Sequence, residues 1–290
     1  MGLFDQLRNV WFGSRKVRLR IPSGALVLEV GSGDSPCPRS DILFDLTLES
    51  FERVGGKTVV DRPLVLGNVE RLPFRDGAFD YVIAFHVLEH MARPDVFISE
   101  LQRVARAGYL ETPAFWAERI NPLSMHRLEV GLERLEDRQR LVINRKTSPT
   151  PEPEVANQFR RKLVPIMGFG RLHPEAWVTR YGWEGRIDYR VINPHEQIQW
   201  PAESELPGSS QDDPRPLARK VLKRVAQYLH RPQRVALESL LCCPDCRHHP
   251  LEVTSASVRC PKCARTYPIV DGIPHMHPST VSLSREPAPR

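Results

Sequence analysis

The chain has 290 residues, enough for one large domain and one small one, and its 41% of hydrophobic residues excludes a globally disordered protein. Its formal charge is +6, but 41 basic residues are interspersed with 35 acidic ones, so the bias toward acidic partners is mild. No apolar run reaches the ~18–20 residues of a membrane span. The N-terminus lacks the pattern of a signal peptide, and we therefore expect a cytoplasmic protein without a membrane span.

Residues 1–20 are predicted to form an N-terminal helix and a basic segment. Apolar residues occur at helical spacing over 3–12, and 15–20 is rich in Arg and Lys. Such a helix caps a core more often than it lies on a membrane or a nucleic acid.

The following part of the chain, 21–200, is predicted to be an α/β domain. A helix is expected over 94–104, because Pro94 suits a first turn and apolar residues follow at helix spacing. Strands that alternate with helices imply a parallel sheet with right-handed crossovers. The predicted buried strands are 25–30, 42–45, 64–66, 80–85 and 107–111.

The pattern loosens after Pro113. Residues 115–175 are rich in Arg, Pro and scattered aromatics, and 176–182 and 186–192 are expected to be the two arms of a hairpin. A linker and a short basic helix are predicted over 201–233. The remaining expected parts are a cysteine-rich module at 234–278 and a disordered tail at 279–290.

The first strand ends in a glycine loop that reads Glu29-Val30-Gly31-Ser32-Gly33. Alone it is a weak signal, because Pro36 stands where the dinucleotide fingerprint has its third glycine. Pro36 and Pro38 leave room for at most one helical turn, whereas a bound dinucleotide needs a helix N-terminus against its phosphates. A ligand without phosphates, such as S-adenosylmethionine, therefore fits this loop better.

An acidic residue ends the second predicted strand. Asp45 follows Leu43 and Phe44 and is placed to accept hydrogen bonds from both hydroxyls of a ribose. Asp41 and Asp61 are the alternatives for this role.

Four ordered blocks together resemble class I S-adenosylmethionine-dependent methyltransferases. They are the strand and glycine loop at 27–33, GNVERLPF at 67–74, FDYVI at 79–83 and HVLEH at 86–90. They match the subgroup with an "LPFxDxxFD" stretch, and the resemblance covers about 21–115. It implies a Rossmann-like doubly wound sheet, with S-adenosylmethionine as the cofactor and 115–175 as an insertion on the acceptor side.

The resemblance also implies roles for single residues. The loop would contact the methionine part of the cofactor, Asp45 the ribose, and 68–69 the adenine edge. His86, at the end of the fourth strand, would lie near the methyl group as the candidate catalytic residue, whereas 89–90 would orient the loop. The family usually has Asp at position 68, where this chain has Asn. The implied cofactor contacts are Glu29, Gly31, Ser32, Gly33, Asp45, Asn68, Val69 and Phe85.

Two CxxC pairs lie near the end of the chain, separated by thirteen residues. Four thiolates at this spacing can converge on one structural Zn²⁺, and a reducing cytoplasm favours a metal over disulfides. Cys242 is a spare thiol next to the first pair, and Cys37 is expected to be structural. The predicted ligands are Cys243, Cys246, Cys260 and Cys263.

The module around these cysteines resembles the zinc-ribbon activators of tRNA and protein methyltransferases. The match spans about 239–277, and YPIVDGIP at 267–274 is its most distinctive part. Such a ribbon usually covers a hydrophobic edge of a separate methyltransferase. On one chain, it implies a stabilising or substrate-presenting module, through which an RNA or protein partner could bind.

Three functions are compatible with these features. The leading hypothesis is methyl transfer to a small-molecule or glycan-type acceptor, such as a lipid-linked sugar. Activator partners often carry Asn/Asp-Pro-Pro-Tyr after the fourth strand, but 85–88 reads FHVL, which disfavours transfer to an amide or adenine nitrogen. The alternatives are an RNA methyltransferase that grips phosphates with the ribbon and 15–20, and a non-catalytic scaffold.

Overall fold

The structure is a computed structural model that describes residues 19, 21–48, 58–120, 122–148, 154, 176–193 and 235–279. The predictions for the helix over 3–12, the basic helix of 201–233 and the tail beyond Ser279 lie outside these ranges. None of the described helices has the length and apolarity needed to cross a membrane.

Thirteen strands and two α-helices form the described parts of the chain. The helices are α1 (Pro94–Val104) and α2 (Phe115–Ile120). The strands are β1 (Val27–Val30), β2 (Ile42–Asp45), β3 (Leu64–Leu66), β4 (Tyr81–Phe85), β5 (Ala107–Pro113), β6 (Leu128–Arg134), β7 (Gln139–Arg145), β8 (Val178–Glu184), β9 (Tyr189–Ile192), β10 (Glu252–Val253), β11 (Ser257–Arg259), β12 (Thr266–Val270) and β13 (Ile273–Pro274).

The main sheet has six strands in the order β3-β2-β1-β4-β5-β8. The first five run parallel, and β8 is antiparallel to β5. β1 to β4 are buried along their whole length, as expected for parallel strands covered on both faces. The five predicted strands and the Rossmann-like arrangement are therefore confirmed. In such a sheet, ligands bind at the carboxyl ends of the strands near β1 and β4, where the strand order reverses.

Helix α1 covers one face of the sheet. Pro94 stands in its first turn, and Phe97, Ile98, Leu101 and Val104 are buried at helix spacing. The helix ends where Ala105 becomes extended and its N–H donates to the carbonyl of Leu101. Burial of each such side chain contributes about 1.5–3 kcal/mol.

The expected hairpin of 176–182 and 186–192 is wrong. β8 pairs with β5 in the main sheet, and β9 pairs in parallel with β7 in a separate three-stranded sheet. The reason is packing: β5 offers a seven-residue edge, and Tyr181 and Trp183 bury their rings against the main core. Trp183, expected in the turn, therefore lies within β8.

The cysteine-rich module is a small antiparallel sheet, in the order β10-β11-β12-β13, that docks at the open edge of β3. His275 forms a parallel bridge with Leu66, and the N–H of Met276 donates to the carbonyl of Leu66 at 2.6 Å. Leu241 forms an antiparallel bridge with Phe74. The module thus extends the main sheet through backbone hydrogen bonds and covers its edge.

Candidate functional site

The glycine loop leaves β1 at its carboxyl end and contains only turns and bends up to β2. The expected lack of a full helix is therefore confirmed. Gly31 has φ +67, and a Cβ there would clash with Val87 Cγ2. Gly33 has φ +56. Gly31 thus needs glycine and the backbone of Gly33 favours it, and the loop packs directly against the segment that follows β4.

Two buried carboxylates hold this loop in shape. Glu29 Oε2 accepts hydrogen bonds from the N–H of Cys37 at 2.7 Å and from the hydroxyl of Ser40. Asp45 accepts the N–H of Gly33 with Oδ2 and that of Leu46 with Oδ1, both at 2.8 Å. Asp45 therefore lies at the carboxyl end of β2, next to the glycines.

The two alternatives to Asp45 lie elsewhere. Asp41 precedes β2 and accepts the N–H of Val27 at 2.9 Å, at the opposite end of the strands. Asp61 is exposed and pairs with Arg62 at 2.8 Å before β3 begins. Asp41 therefore lies away from the glycine loop, whereas the segment of Asp61 borders it, because the N–H of Val59 donates to the carbonyl of Gly33 at 3.0 Å.

Ser32 provides a test of whether the loop fits a cofactor. Its side chain is buried, and its hydroxyl oxygen has no hydrogen-bond partner among the described residues. A buried hydroxyl without a partner costs free energy unless a ligand or water satisfies it. Together with the close backbone approach that Gly31 and Gly33 permit, this hydroxyl fits a small polar ligand such as the methionine part of S-adenosylmethionine.

The predicted adenine-side residues follow β3. Asn68 Oδ1 accepts the N–H of Glu70 at 2.8 Å and caps a short 3-10 turn, Val69–Arg71. An aspartate would cap this turn in the same way. Val69 is partly buried against the main core.

Phe85 ends β4 with its side chain in a separate apolar cluster. Its ring is 3% exposed and meets the ring of Tyr109 edge-on, with the centroids 5.6 Å apart. Cys37 packs against the same cluster. The ring is therefore part of the core on that face of the sheet.

His86 follows β4 in a left-handed conformation, with φ +54. Its N–H donates to the carbonyl of Glu111 at 2.8 Å, its Nδ1 donates to Glu89 Oε1 at 3.2 Å, and its Nε2 lies 3.7 Å from Glu111 Oε1. Burial lowers the pKa of His86, but the hydrogen bonds to Glu111 and Glu89 and their charges outweigh burial and raise the pKa to about 9. Strained backbone at the end of a strand is typical of functional sites.

A buried cluster of charged side chains, which was not predicted from the sequence, lies near His86. Glu118 accepts hydrogen bonds from His126 Nδ1 at 2.7 Å and from the buried ammonium group of Lys146. Glu111 accepts the hydroxyl of Tyr109 at 3.0 Å. These groups come from α2, from β5, and from the residues just before β6 and just after β7, so no local spacing could have revealed them.

The four predicted zinc ligands converge in the docked module. Their sulfur atoms lie within 4.8 Å of one another, with 3.6 Å between Cys243 and Cys263 and 3.5 Å between Cys246 and Cys260. Tetrahedral Zn–S bonds of about 2.3 Å place sulfurs roughly 3.8 Å apart, so the cluster fits zinc. None of these cysteines forms a disulfide. The hydroxyl of Tyr267 lies 3.1 Å from Cys243 Sγ, which is the kind of outer contact that orients a thiolate ligand.

Two segments of the chain match the models of known families. Residues 42–110 match the model of a methyltransferase domain, and 236–272 match that of a Trm112p-like protein. The ubiquinone/menaquinone biosynthesis C-methyltransferase UbiE of Burkholderia mallei is 29% identical over 115 residues, which covers 35% of this chain and 47% of the relative. The enzyme of the same name from Burkholderia multivorans is 28% identical over the same length. The chain thus spans about half the length of the curated relatives it matches.

The solved structures that match this chain resemble only part of it. A chain in the complex between the Haloferax volcanii Trm112 methyltransferase activator and a methyltransferase has a TM-score of 0.28 and 20% identity, covering 39% of this chain and 55% of that chain. An S-adenosylmethionine-dependent methyltransferase from Thermotoga maritima has a TM-score of 0.28 and 19% identity, covering 39% and 52%. The two family matches thus show that one segment of the chain is similar to a methyltransferase domain and another to a Trm112p-like protein.

Proposed function

We propose that this protein transfers the methyl group of S-adenosylmethionine to a small-molecule or glycan-type acceptor. The observation that carries the proposal is the glycine loop, which combines two glycines at positive φ, a buried hydroxyl without a partner among the described residues, and an acidic strand end at Asp45. These features lie at the carboxyl ends of β1 and β2, where such sheets bind ligands.

Each loop residue has a role in this proposal. Gly31 and Gly33 let the backbone approach the methionine part, to which Ser32 offers its hydroxyl. Glu29 fixes the loop through Cys37. Asp45 binds the ribose, and its bond to the N–H of Gly33 orients the carboxylate. Asn68 and Val69 complete the cofactor side as proposed contacts, whereas the ring of Phe85, also expected there, is buried in the core.

The acceptor side is proposed to begin at His86. S-adenosylmethionine supplies an activated methyl group, so the protein has to position a nucleophile and exclude water. His86 is one-third exposed and follows the strand next to β1, which places it beside the glycine loop. The Nδ1–H of the imidazole donates to Glu89, and a pKa of about 9 keeps Nε2 protonated at neutral pH, so a role as general base requires loss of the proton on Nε2.

The fused ribbon is proposed to stabilise the methyltransferase domain. It docks on β3, whereas His86 follows β4, and β2 and β1 lie between these strands. Three strand spacings of about 4.8 Å separate them, so the docked edge lies away from the proposed acceptor site. Binding of an RNA or protein partner is the alternative role that the Trm112p-like match favours. A reduced four-cysteine site also suits the proposed cytoplasmic location.

Turnover of cofactor labelled on the methyl group tests the proposal, with fractionated small-molecule, glycan, RNA and protein extracts as acceptors. We expect label to enter a small-molecule or glycan fraction and to fall at least tenfold with Asp45→Asn. Label in RNA or protein fractions would replace the proposed acceptor class. No transfer to any fraction by zinc-loaded protein would support a non-catalytic scaffold.

A further inference from the structure

A second cluster of metal-ligand side chains lies beside the proposed active site. Glu89, His90 and His126 each offer one ligand atom, and these atoms lie within 4.8 Å of one another. The rings of His90 and His126 meet edge-on, with their centroids 4.7 Å apart. Two imidazoles and one carboxylate are a donor set that suits divalent first-row transition metals.

Glu89 presents an oxygen atom that needs a partner. Its side chain is 1% exposed, Oε1 accepts from His86, and Oε2 has no hydrogen-bond partner among the described residues. Burying a carboxylate oxygen without a partner is costly. A cation beside Oε2 would remove this cost.

One ring nitrogen of His126 is fixed by a carboxylate outside the cluster. Its Nδ1 donates to Glu118 Oε2 at 2.7 Å, which leaves the lone pair of the neutral ring on Nε2. Glu118 is held in turn by Lys146 and by the N–H of Leu123. A carboxylate that fixes the far nitrogen of a histidine is the usual outer shell of a metal-bound imidazole.

A backbone hydrogen bond holds the segment of Glu89 and His90 next to the segment of His126. The N–H of Arg127 donates to the carbonyl of Glu89 at 2.7 Å, so the segment before β6 lies against the turn Leu88–His90. When each ligand atom lies about 2.1 Å from the ion, neighbouring ligand atoms lie roughly 3–4 Å apart. Side-chain rotations that shift the ligand atoms by about an ångström would therefore bring all three within bonding distance of one ion.

We propose that Glu89, His90 and His126 bind one divalent transition-metal ion, of the Mn²⁺, Fe²⁺, Co²⁺ or Zn²⁺ class, distinct from the zinc of the ribbon. Three protein ligands leave coordination positions open to an acceptor hydroxyl. The site lies next to His86 and, through Val87, next to Gly31 of the glycine loop. Only this acceptor role rests on the proposed function, because binding of the ion does not require methyl transfer.

Equilibrium dialysis of the zinc-loaded full chain against Co²⁺ tests the proposal, with cobalt and zinc counted per chain. We expect one cobalt ion in addition to one retained zinc ion, and at least tenfold weaker cobalt binding in Glu89→Gln and in His90→Ala. His90 is only half-buried, so its variant keeps the test valid if Glu89→Gln does not fold.

His248→Ala is the matched control, because it removes another half-buried imidazole, outside the cluster. It should bind cobalt like the parent protein. Two outcomes would overturn the proposal. In the first, the only cobalt bound is cobalt that has displaced zinc from the ribbon. In the second, the parent protein, Glu89→Gln and His90→Ala bind cobalt equally well. Failure of the methyl-transfer assay with cobalt still bound would overturn the proposed function and leave the metal site standing.

Discussion

Arg247 of the ribbon donates to Glu100 of α1, with Nη2 lying 2.8 Å from Oε1. The same guanidinium donates to the carbonyl of Leu72 at 2.8 Å. Glu100 is buried and also accepts from Arg103 at 2.9 Å. One carboxylate therefore ties the ribbon to the helix and the core of the methyltransferase domain.

Arg247→Ala should destabilise the whole chain. It removes two charge-assisted hydrogen bonds at a largely buried contact, so we expect a loss of about 1–3 kcal/mol in the free energy of unfolding. Denaturant unfolding measures this loss. Arg259→Ala is the matched control, since its pair with Glu252 is exposed and should contribute less than about 1 kcal/mol. Equal effects of the two variants would show that the Arg247 contact does not join the domains.

Removal of zinc should release the ribbon from β3. Apparent binding energies for structural zinc are about 10 kcal/mol or more, and a module this small cannot bury enough surface to fold alone. Cys260→Ala should therefore lose the zinc ion and lower the unfolding temperature. Cys242→Ala should keep one zinc ion, because Cys242 lies outside the four-sulfur cluster. Loss of zinc from Cys242→Ala would show that Cys242 is one of the zinc ligands.

Gly31→Ala should damage the cofactor loop. The new Cβ would clash with Val87 Cγ2 at a backbone φ of +67, which costs about 1–3 kcal/mol. Gly24→Ala is the control for backbone strain alone, because φ there is +77 but no atom lies within 4 Å of the Cβ position. Thermal unfolding should show the larger loss for Gly31→Ala, and Val87→Ala should partly rescue it. Absence of any difference between the two glycine variants would contradict the close packing.

Cys37 should be unreactive at neutral pH. Burial and the charge of Glu29 raise the pKa of this thiol to about 12, well above its ordinary value. At pH 8, iodoacetamide should therefore modify it about 10³-fold more slowly in the folded protein than in the unfolded chain. Peptide mapping measures the rate. Glu29→Gln should lower the pKa of Cys37 and speed the modification, and an unchanged rate in that variant would remove Glu29 as a cause.

The parallel strands and the clustering of the four cysteines could be predicted because their signals are local. A buried parallel strand is visible in the sequence as a short apolar run. The spacing of two CxxC pairs predicts by itself that the four thiols can meet at one metal ion. β6 and β7 escape prediction, although Leu128 and Val130 alternate with polar neighbours and oppose Arg145 and Ile143. The Arg and Pro content of the surrounding segment obscures this alternation.

The hairpin prediction failed for a different reason. β8 and β9 follow each other closely, as hairpin arms do, but each pairs with a seven-residue strand elsewhere in the fold. Likewise, Glu118, His126 and Lys146 meet only through tertiary packing. Pairing of segments far apart in the chain cannot be deduced from the composition of either one.

Calorimetric titration of S-adenosylmethionine into the zinc-loaded chain tests the central claim most directly. We expect one binding site, at least tenfold weaker in Asp45→Asn, because a neutral amide is a poorer acceptor for the ribose hydroxyls. Asp137→Asn is the matched control, since its exposed carboxylate pairs with Arg138 between β6 and β7, outside the main sheet, and it should bind like the parent protein. No binding by the folded parent protein, or equal affinity in all three proteins, would contradict cofactor binding at the glycine loop.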